Sequence, residues 1–139
     1  MAEYEFEEFI AIYGKFDKYD EWHFSHVTHV CVDENVATLY RQNRYYGTLN
    51  MVFHEGKWKK HGIYTLSCLR TDYYFEYDVL HREDGPAYIS RHENGQIWLE
   101  VWYNNDRRHR LNAPAVQRWD NQGNLIEEYY YVDGVRIGN

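Results

Sequence analysis

The side chains in this chain best suited to chemistry are histidines. His23, His26 and His29 recur at intervals of three, with Cys31 close by. On a helix that spacing would let the imidazoles converge on zinc. The neighbours Val27, Thr28, Val30 and Val32 argue for a strand instead. There His23 and His29 share a face about 20 Å apart and His26 points away, so no shared metal is expected. His81-Arg82 with Asp84, and His109-Arg110, have the polarity for acid–base work. Both sets fall at equivalent positions of an internal repeat, where a structural role is the better reading. Arg82 and Asp84 are expected to pair, or to cap turns, along one edge. Arg107-Arg108-His109-Arg110 is the one dense basic run, and Lys57, Lys59 and Lys60 form a looser one. With aromatics nearby, such runs could hold single-stranded nucleic acid by stacking and phosphate contact. The formal net charge of −7 opposes that, so a solvated sheet face is expected. No glycine-rich phosphate loop, nucleophile elbow or paired catalytic carboxylate stands out. No catalytic residue, metal or cofactor is therefore expected, and the chain does not read as an enzyme.

The elements that position these residues are organised by that repeat. His81-Arg82-Glu83-Asp84-Gly85-Pro86-Ala87 returns as His109-Arg110-Leu111-Asn112-Ala113-Pro114-Ala115, 28 residues later and without a gap. In the same register Gly95 falls on Gly123, Glu100 on Glu128, Trp102 on Tyr130, Tyr103 on Tyr131 and Arg108 on Arg136. An ungapped register with matched turn residues marks a repeat architecture. Each unit reads as an aromatic strand, a turn at Asn105-Asp106 or Asp133-Gly134, a short basic segment and a Pro-Ala element. Pro86 and Pro114 cannot donate to a ladder and mark a strand start or edge. A strand then leads to Asn94-Gly95 or Gln122-Gly123, a hairpin signal, and a further strand closes the unit. About two to three strands cannot bury a core alone, so the units are expected to stack into one antiparallel sheet with aligned aromatic rows. A fainter copy lies upstream, around Tyr74 to Asp78 and Phe53 to Gly56.

The rest of the chain agrees with a β protein. Trp22 to Val32, Val36 to Arg41, Leu49 to Phe53, Lys57 to Lys60, Ile63 to Leu69 and Tyr73 to Val79 read as strands, with Glu55-Gly56 as a hairpin tip. Near the N-terminus, Phe6, Phe9, Ile10 and Tyr13 have helical spacing, with Glu3, Glu5, Glu7 and Glu8 as an acidic first turn and Gly14 as a stop. Tyr4, Phe6 and Glu8 also alternate as in a strand, so both readings stay open. The expected fold is all-β in the main: a twisted antiparallel meander of hairpin repeats, with one short N-terminal helix on the first reading. At 139 residues it is read as a single domain, 1–139.

Composition narrows the setting. Fifteen tyrosines dominate an aromatic share of 19%, which suits half-buried pleated surfaces. Cys31 and Cys68 are read as free thiols in a reducing compartment, although one bridge between them stays open. No apolar run approaches membrane-spanning length and the first residues are acidic, so a soluble, cytoplasmic protein is expected.

At Phe53-His54-Glu55-Gly56-Lys57, Gly62-Ile63-Tyr64 and Tyr131-Val132-Asp133-Gly134, the chain resembles MORN-type repeats. The His-Arg-x-Asp-Gly-Pro-Ala form is similar to a longer MORN variant of large DNA viruses and bacteriophages, with related modules in antitoxin-like bacterial proteins. The likeness covers residues 49–139, clearest at 81–108 and 109–136, and leaves 1–48 as a divergent segment. The second copy departs from it at Asn112-Ala113, so a bend that requires glycine is not expected there. The resemblance implies an elongated β-meander with a binding role. In it His81, Arg82, Asp84, Gly85, Pro86, Gly95, His109, Arg110, Pro114 and Gly123 would be structural.

Function then turns on surface. Tyr73-Tyr74-Phe75-Tyr77 and Tyr129-Tyr130-Tyr131 exceed what alternation can hide; either some ring is exposed for a partner or the N-terminal segment covers it. The partner-binding residues expected are Tyr73, Tyr74, Trp98, Trp102, Arg107, Arg108, Tyr129 and Tyr130. The first reading is a non-enzymatic module that docks on another protein, as an inhibitor, anti-defence or antitoxin-like factor. The second is an acidic mimic of DNA, which needs carboxylates at phosphate-like spacing. The third is a lipid or single-stranded nucleic-acid binder working through the basic runs. A homodimer through open sheet edges is a further expectation.

Overall fold

The computed structural model describes residues 1–13, 27–42, 48–66 and 69–138. His23, His26, Gly14, Cys68 and the first half of the strand expected at Trp22 to Val32 lie outside them.

Both N-terminal readings are realised, on consecutive residues. Ala2–Glu5 is a strand (β1) and Phe6–Tyr13 a helix (α1). Glu3 and Glu5 are thus not part of an acidic first turn; Glu7 and Glu8 alone occupy it. The residues before Phe6 extend because β2 (Val27–Asp33) offers them a pairing edge, with Ala2 opposite Val32 and Glu5 opposite His29. Helical spacing asserts itself where Phe9 can be buried completely.

β2 continues through β3 (Val36–Arg41), β4 (Thr48–His54) and β5 (Lys57–Lys60), and with β1 they form a five-stranded antiparallel sheet in sequence order. The second sheet is built from β6 (Gly62–Leu66), β7 (Thr71–Glu76), β9 (Tyr88–Arg91), β10 (Ile97–Val101), β13 (Val116–Trp119), β14 (Leu125–Val132) and β15 (Val135–Ile137), also in sequence order. The short β8 (Val79–Leu80) pairs with β7, and β11 (Tyr103–Asn104) pairs with β12 (Arg107–Arg108). One continuous repeat sheet was expected; among the described residues two large sheets are found beside the two-stranded β11–β12 pair, and the large sheets join around one core. Phe9, Val30, Ala37, Leu39, Leu49 and Met51 from the first side meet Tyr64 and Phe75 from the second. Tyr64 donates its hydroxyl proton to the Asn50 carbonyl across the junction at 2.7 Å, which lets a buried phenol keep a partner.

The repeat is exact in backbone pairing. Ala87 N–H donates to Val101 O and Ala115 N–H to Tyr129 O; Tyr74 N–H donates to Ala87 O and Trp102 N–H to Ala115 O. Segments 81–103 and 109–131 therefore share one pairing scheme, and they differ locally at Asn112, which is at φ 62° where Asp84 is not at positive φ. The expected Asn-Gly hairpins differ in detail. Gly95 N–H donates to His92 O and Gly123 N–H to Asp120 O, each glycine at positive φ beside a bulged strand. These are longer loops with a glycine bulge. The tight turns with positive φ at both central residues occur instead at Glu55-Gly56, Tyr77-Asp78, Asn105-Asp106 and Asp133-Gly134.

Candidate functional site

Successive repeat tips are stacked like rungs, and polar side chains clamp each to the next. The Nδ1 of His81 accepts the Asn105 amide at 3.2 Å, and that of His109 accepts the Asp133 amide at 3.0 Å. Upstream, His61 Nδ1 faces the Tyr77 amide at 3.4 Å, a weaker copy that fits the degenerate unit. In the other direction, Asp78 Oδ1 accepts the Lys60 amide at 2.7 Å and Asp106 Oδ1 the Leu80 amide at 2.6 Å. The sequence-level turn Asn105-Asp106 is therefore both a hairpin tip and a clasp on the preceding rung.

The arginines complete the clamp. Arg82 lies 4.1 Å from the centre of the Tyr74 ring and donates to Pro86 O at 3.2 Å. Arg110 lies 4.0 Å from Trp102 and donates to Pro114 O at 3.2 Å. The Pro-Ala element is thus fixed by the guanidinium that follows the histidine. Arg82 Nε also reaches Asp84 Oδ1 at 3.4 Å, the pairing expected from sequence. Arg108 stacks at 5.3 Å on Tyr131 and donates to its hydroxyl, and Arg136 covers Tyr129 at 4.3 Å.

Most of the aromatic residues expected to meet a partner are already engaged within the chain. Tyr73 packs edge-on to Tyr88 at 5.2 Å, and burial with Tyr88 and Tyr103 nearby pushes its phenol up to about 12. Trp98 donates from Nε1 to the Ser90 hydroxyl at 2.9 Å. Tyr74, Trp102 and Tyr129 are half-buried beneath arginines. Tyr130 is different: it is 41% exposed, and Arg107 and Arg108 are exposed as well. Tyr130 is the repeat equivalent of Tyr74 and Trp102. The positions equivalent to His109 and Arg110 are Ile137 and Gly138, which can supply neither an imidazole nor a guanidinium.

The looser basic run is not a solvated face throughout, as was expected. Lys60 is buried with its Nζ 4.7 Å from the Phe75 ring. On the repeat sheet, carboxylates alternate with cations: Asp72 pairs with Arg91 at 2.9 Å and Glu127 with Arg118 at 3.3 Å. Burial raises the Glu100 carboxyl above its ordinary range, against the opposing pull of Arg110, Arg82 and Arg91.

A groove of about 410 Å³ runs between the rungs, lined by His81, Arg82, Glu83, Trp102, His109 and Arg110 among others. Its two imidazoles hold backbone amides on Nδ1. His81 Nε2 faces Glu76 at 3.6 Å and Glu83 at 3.8 Å. These histidines are positioned as clasps on the turn of the following rung.

One grouping escaped the sequence reading. Glu3, His29 and Cys31 bring ligand atoms within 4.8 Å of one another. The histidine–cysteine run was visible, but its acidic neighbour comes from β1, whose strand pairing with β2 was undecided.

No family model, curated protein or solved structure matches this chain. No helix among the described residues is long and apolar enough to cross a membrane.

Proposed function

We propose that this protein is a non-enzymatic binding module that docks on another protein through the open end of its repeat sheet. The observation that carries the reading is the uncovered Tyr130. Both clear repeats place an arginine on the equivalent ring, Arg82 on Tyr74 and Arg110 on Trp102, and the last rung presents the ring without it. By alternation Ile126, Glu128 and Tyr130 share one face of β14, and all three are exposed. The outer edge of Leu125 to Tyr129 meets no further strand among the described residues. An apolar side chain, a carboxylate and an aromatic face beside free backbone groups are the requirements for adding an extended, arginine-bearing strand.

The partner is thus a protein segment that imitates the chain's own next rung. The likeness to MORN-variant repeats supports the narrower reading, an inhibitor, anti-defence or antitoxin-like factor acting in the cytoplasm. An acidic mimic of DNA is less well supported, because the sheet's carboxylates are interleaved with arginines.

The test uses a peptide of residues 109–118, which covers β10 inside the protein, as a probe for β14. Binding is expected, with at least tenfold loss when the peptide's arginine equivalent to Arg110 becomes Ala, and again for Tyr130→Ala in the protein. Equal binding of the Tyr130→Ala variant and of the Ala-substituted peptide would remove the reading. An unchanged affinity in high salt would count against the carboxylate's part in it.

A further inference from the structure

We infer that Glu3, His29 and Cys31 form a zinc-binding site on the N-terminal sheet. Register pairs Glu3 with Cys31 across β1 and β2, and His29 lies two residues from Cys31 on the same strand. Cross-strand partners share a face, and so do residues two apart. The three side chains therefore project together from one face. Their ligand atoms lie within 4.8 Å of one another, with His29 Nε2 3.9 Å from Glu3 Oε1. Ligands around tetrahedral zinc stand about 3.3–3.8 Å apart, given bonds of about 2.0–2.3 Å. Closing the difference takes small side-chain rotations within the group.

An independent observation aims the imidazole at this point. The Thr28 hydroxyl donates its one proton to the Tyr40 carbonyl at 3.2 Å. The same oxygen lies 3.0 Å from His29 Nδ1. With the hydroxyl proton on the Tyr40 carbonyl, the hydroxyl accepts from Nδ1 and the ring hydrogen sits there, which is the tautomer that zinc binding through Nε2 requires. The Nε2 lone pair is then left facing Glu3. A bulge between Val27 and His29 brings Thr28 into reach. The ring plane is held by Tyr40, stacked at 4.6 Å and 2°. Metal-ligating histidines are typically fixed by such a partner on the other nitrogen.

The donor set selects the ion. A thiolate disfavours magnesium and calcium, whereas sulfur, imidazole and carboxylate together suit zinc. On binding, the Cys31 thiol gives its proton to solvent as the S–Zn bond forms, with no change of oxidation state. Affinity therefore rises with pH. Glu3 is exposed and His29 and Cys31 are half-buried, so the fourth position opens to water or to a partner's side chain. The ion would tie the edge strand β1 to β2.

The experiment titrates the full chain with Zn²⁺ against a chelating dye, and with Co²⁺ as a spectroscopic stand-in. One equivalent should bind, with a near-ultraviolet thiolate-to-cobalt band. Cys31→Ser should abolish the band and Cys68→Ser should keep it. Glu3→Gln and His29→Ala should weaken zinc tenfold or more. Thr28→Val, which removes no ligand, should weaken it about tenfold. Glu3→Gln is a surface change that keeps the fold, so its result stands even if Cys31→Ser fails to fold. Absence of saturable binding, a band that survives Cys31→Ser, or unchanged zinc affinity in both Glu3→Gln and His29→Ala would overturn the inference.

Discussion

The guanidinium of Arg110 lies 4.0 Å from the centre of the Trp102 ring while its Nη1 donates to the Pro114 carbonyl at 3.2 Å. One side chain thus ties Trp102, between β10 and β11, to the Pro-Ala element that precedes β13. Arg110→Ala loses a partly desolvated cation–π contact and a charged hydrogen bond, each about 1–2 kcal/mol. Chemical denaturation should show a loss of about 2 kcal/mol, with Arg110→Lys recovering less than half because an ammonium cannot stack and fork at once. The same substitution at Arg107, which is exposed, should change stability by under about 0.5 kcal/mol.

Glu55 sits at φ 52°, ahead of Gly56 at φ 80°. A left-handed backbone is unfavourable for glutamate and acceptable for asparagine. Glu55→Asn loses the exposed contact with Lys59 at 3.9 Å, a pair of little consequence to stability. It gains turn preference. A rise of about 0.5–1 kcal/mol is expected, seen as an increase of a few degrees in Tm. A fall would mean that the Lys59 contact outweighs the turn.

Tyr73 should titrate late. Its phenol is pushed up to about 12 by burial and by Tyr88 and Tyr103, against an ordinary value near 10 in the unfolded chain. The folded pKa is the raised one, so the associated stability is complete below about pH 10 and declines as pH climbs towards about 12. A spectrophotometric titration should contain a step near the top of that range, and Tyr73→Phe should remove it. Loss of an earlier step instead would show that the ring is open to solvent.

Much of this was legible in the sequence because repetition exposes it. The interval from His81 to His109 gave the register, and Pro86, Pro114 and the turn dipeptides gave the strand borders. That Phe9 shares one core with Tyr64 and Phe75 was not legible, since it depends on how two sheets meet, and no local pattern encodes that. Nor was the grouping of Glu3 with His29 and Cys31. Its signal was divided between a histidine–cysteine alternation and an N-terminal segment whose extended and helical patterns competed. The turn at Asn105-Asp106 was legible, and Asn94-Gly95, the stronger hairpin signal, serves a longer bulged loop. The equivalent turn at Tyr77-Asp78 carries no turn dipeptide and was not legible. There, tertiary stacking of rungs holds bulky residues at positive φ that local preference would reject.

The departure of the second repeat from the first yields one more prediction. Gly85 is not at positive φ, but a Cβ there would stand 2.6 Å from the Arg82 guanidinium carbon. Arg82 is drawn over that position by Asp84, which its Nε contacts at 3.4 Å. In the second copy Ala113 replaces the glycine and Asn112 the aspartate, and Arg110 still reaches both its ring and Pro114. Gly85→Ala should therefore force Arg82 away from Asp84 while leaving it on Tyr74, at a cost of about 0.5–1 kcal/mol. Asp84→Asn removes the charge that draws the guanidinium inward. The double variant, Asp84→Asn with Gly85→Ala, should then be less destabilised than the sum of the single changes, a coupling that a double-mutant cycle in urea can measure. Strict additivity would show that Asp84 does not hold Arg82 over Gly85. A double variant worse than the sum would show that Asn112, at φ 62°, needs a backbone course that the first repeat cannot adopt.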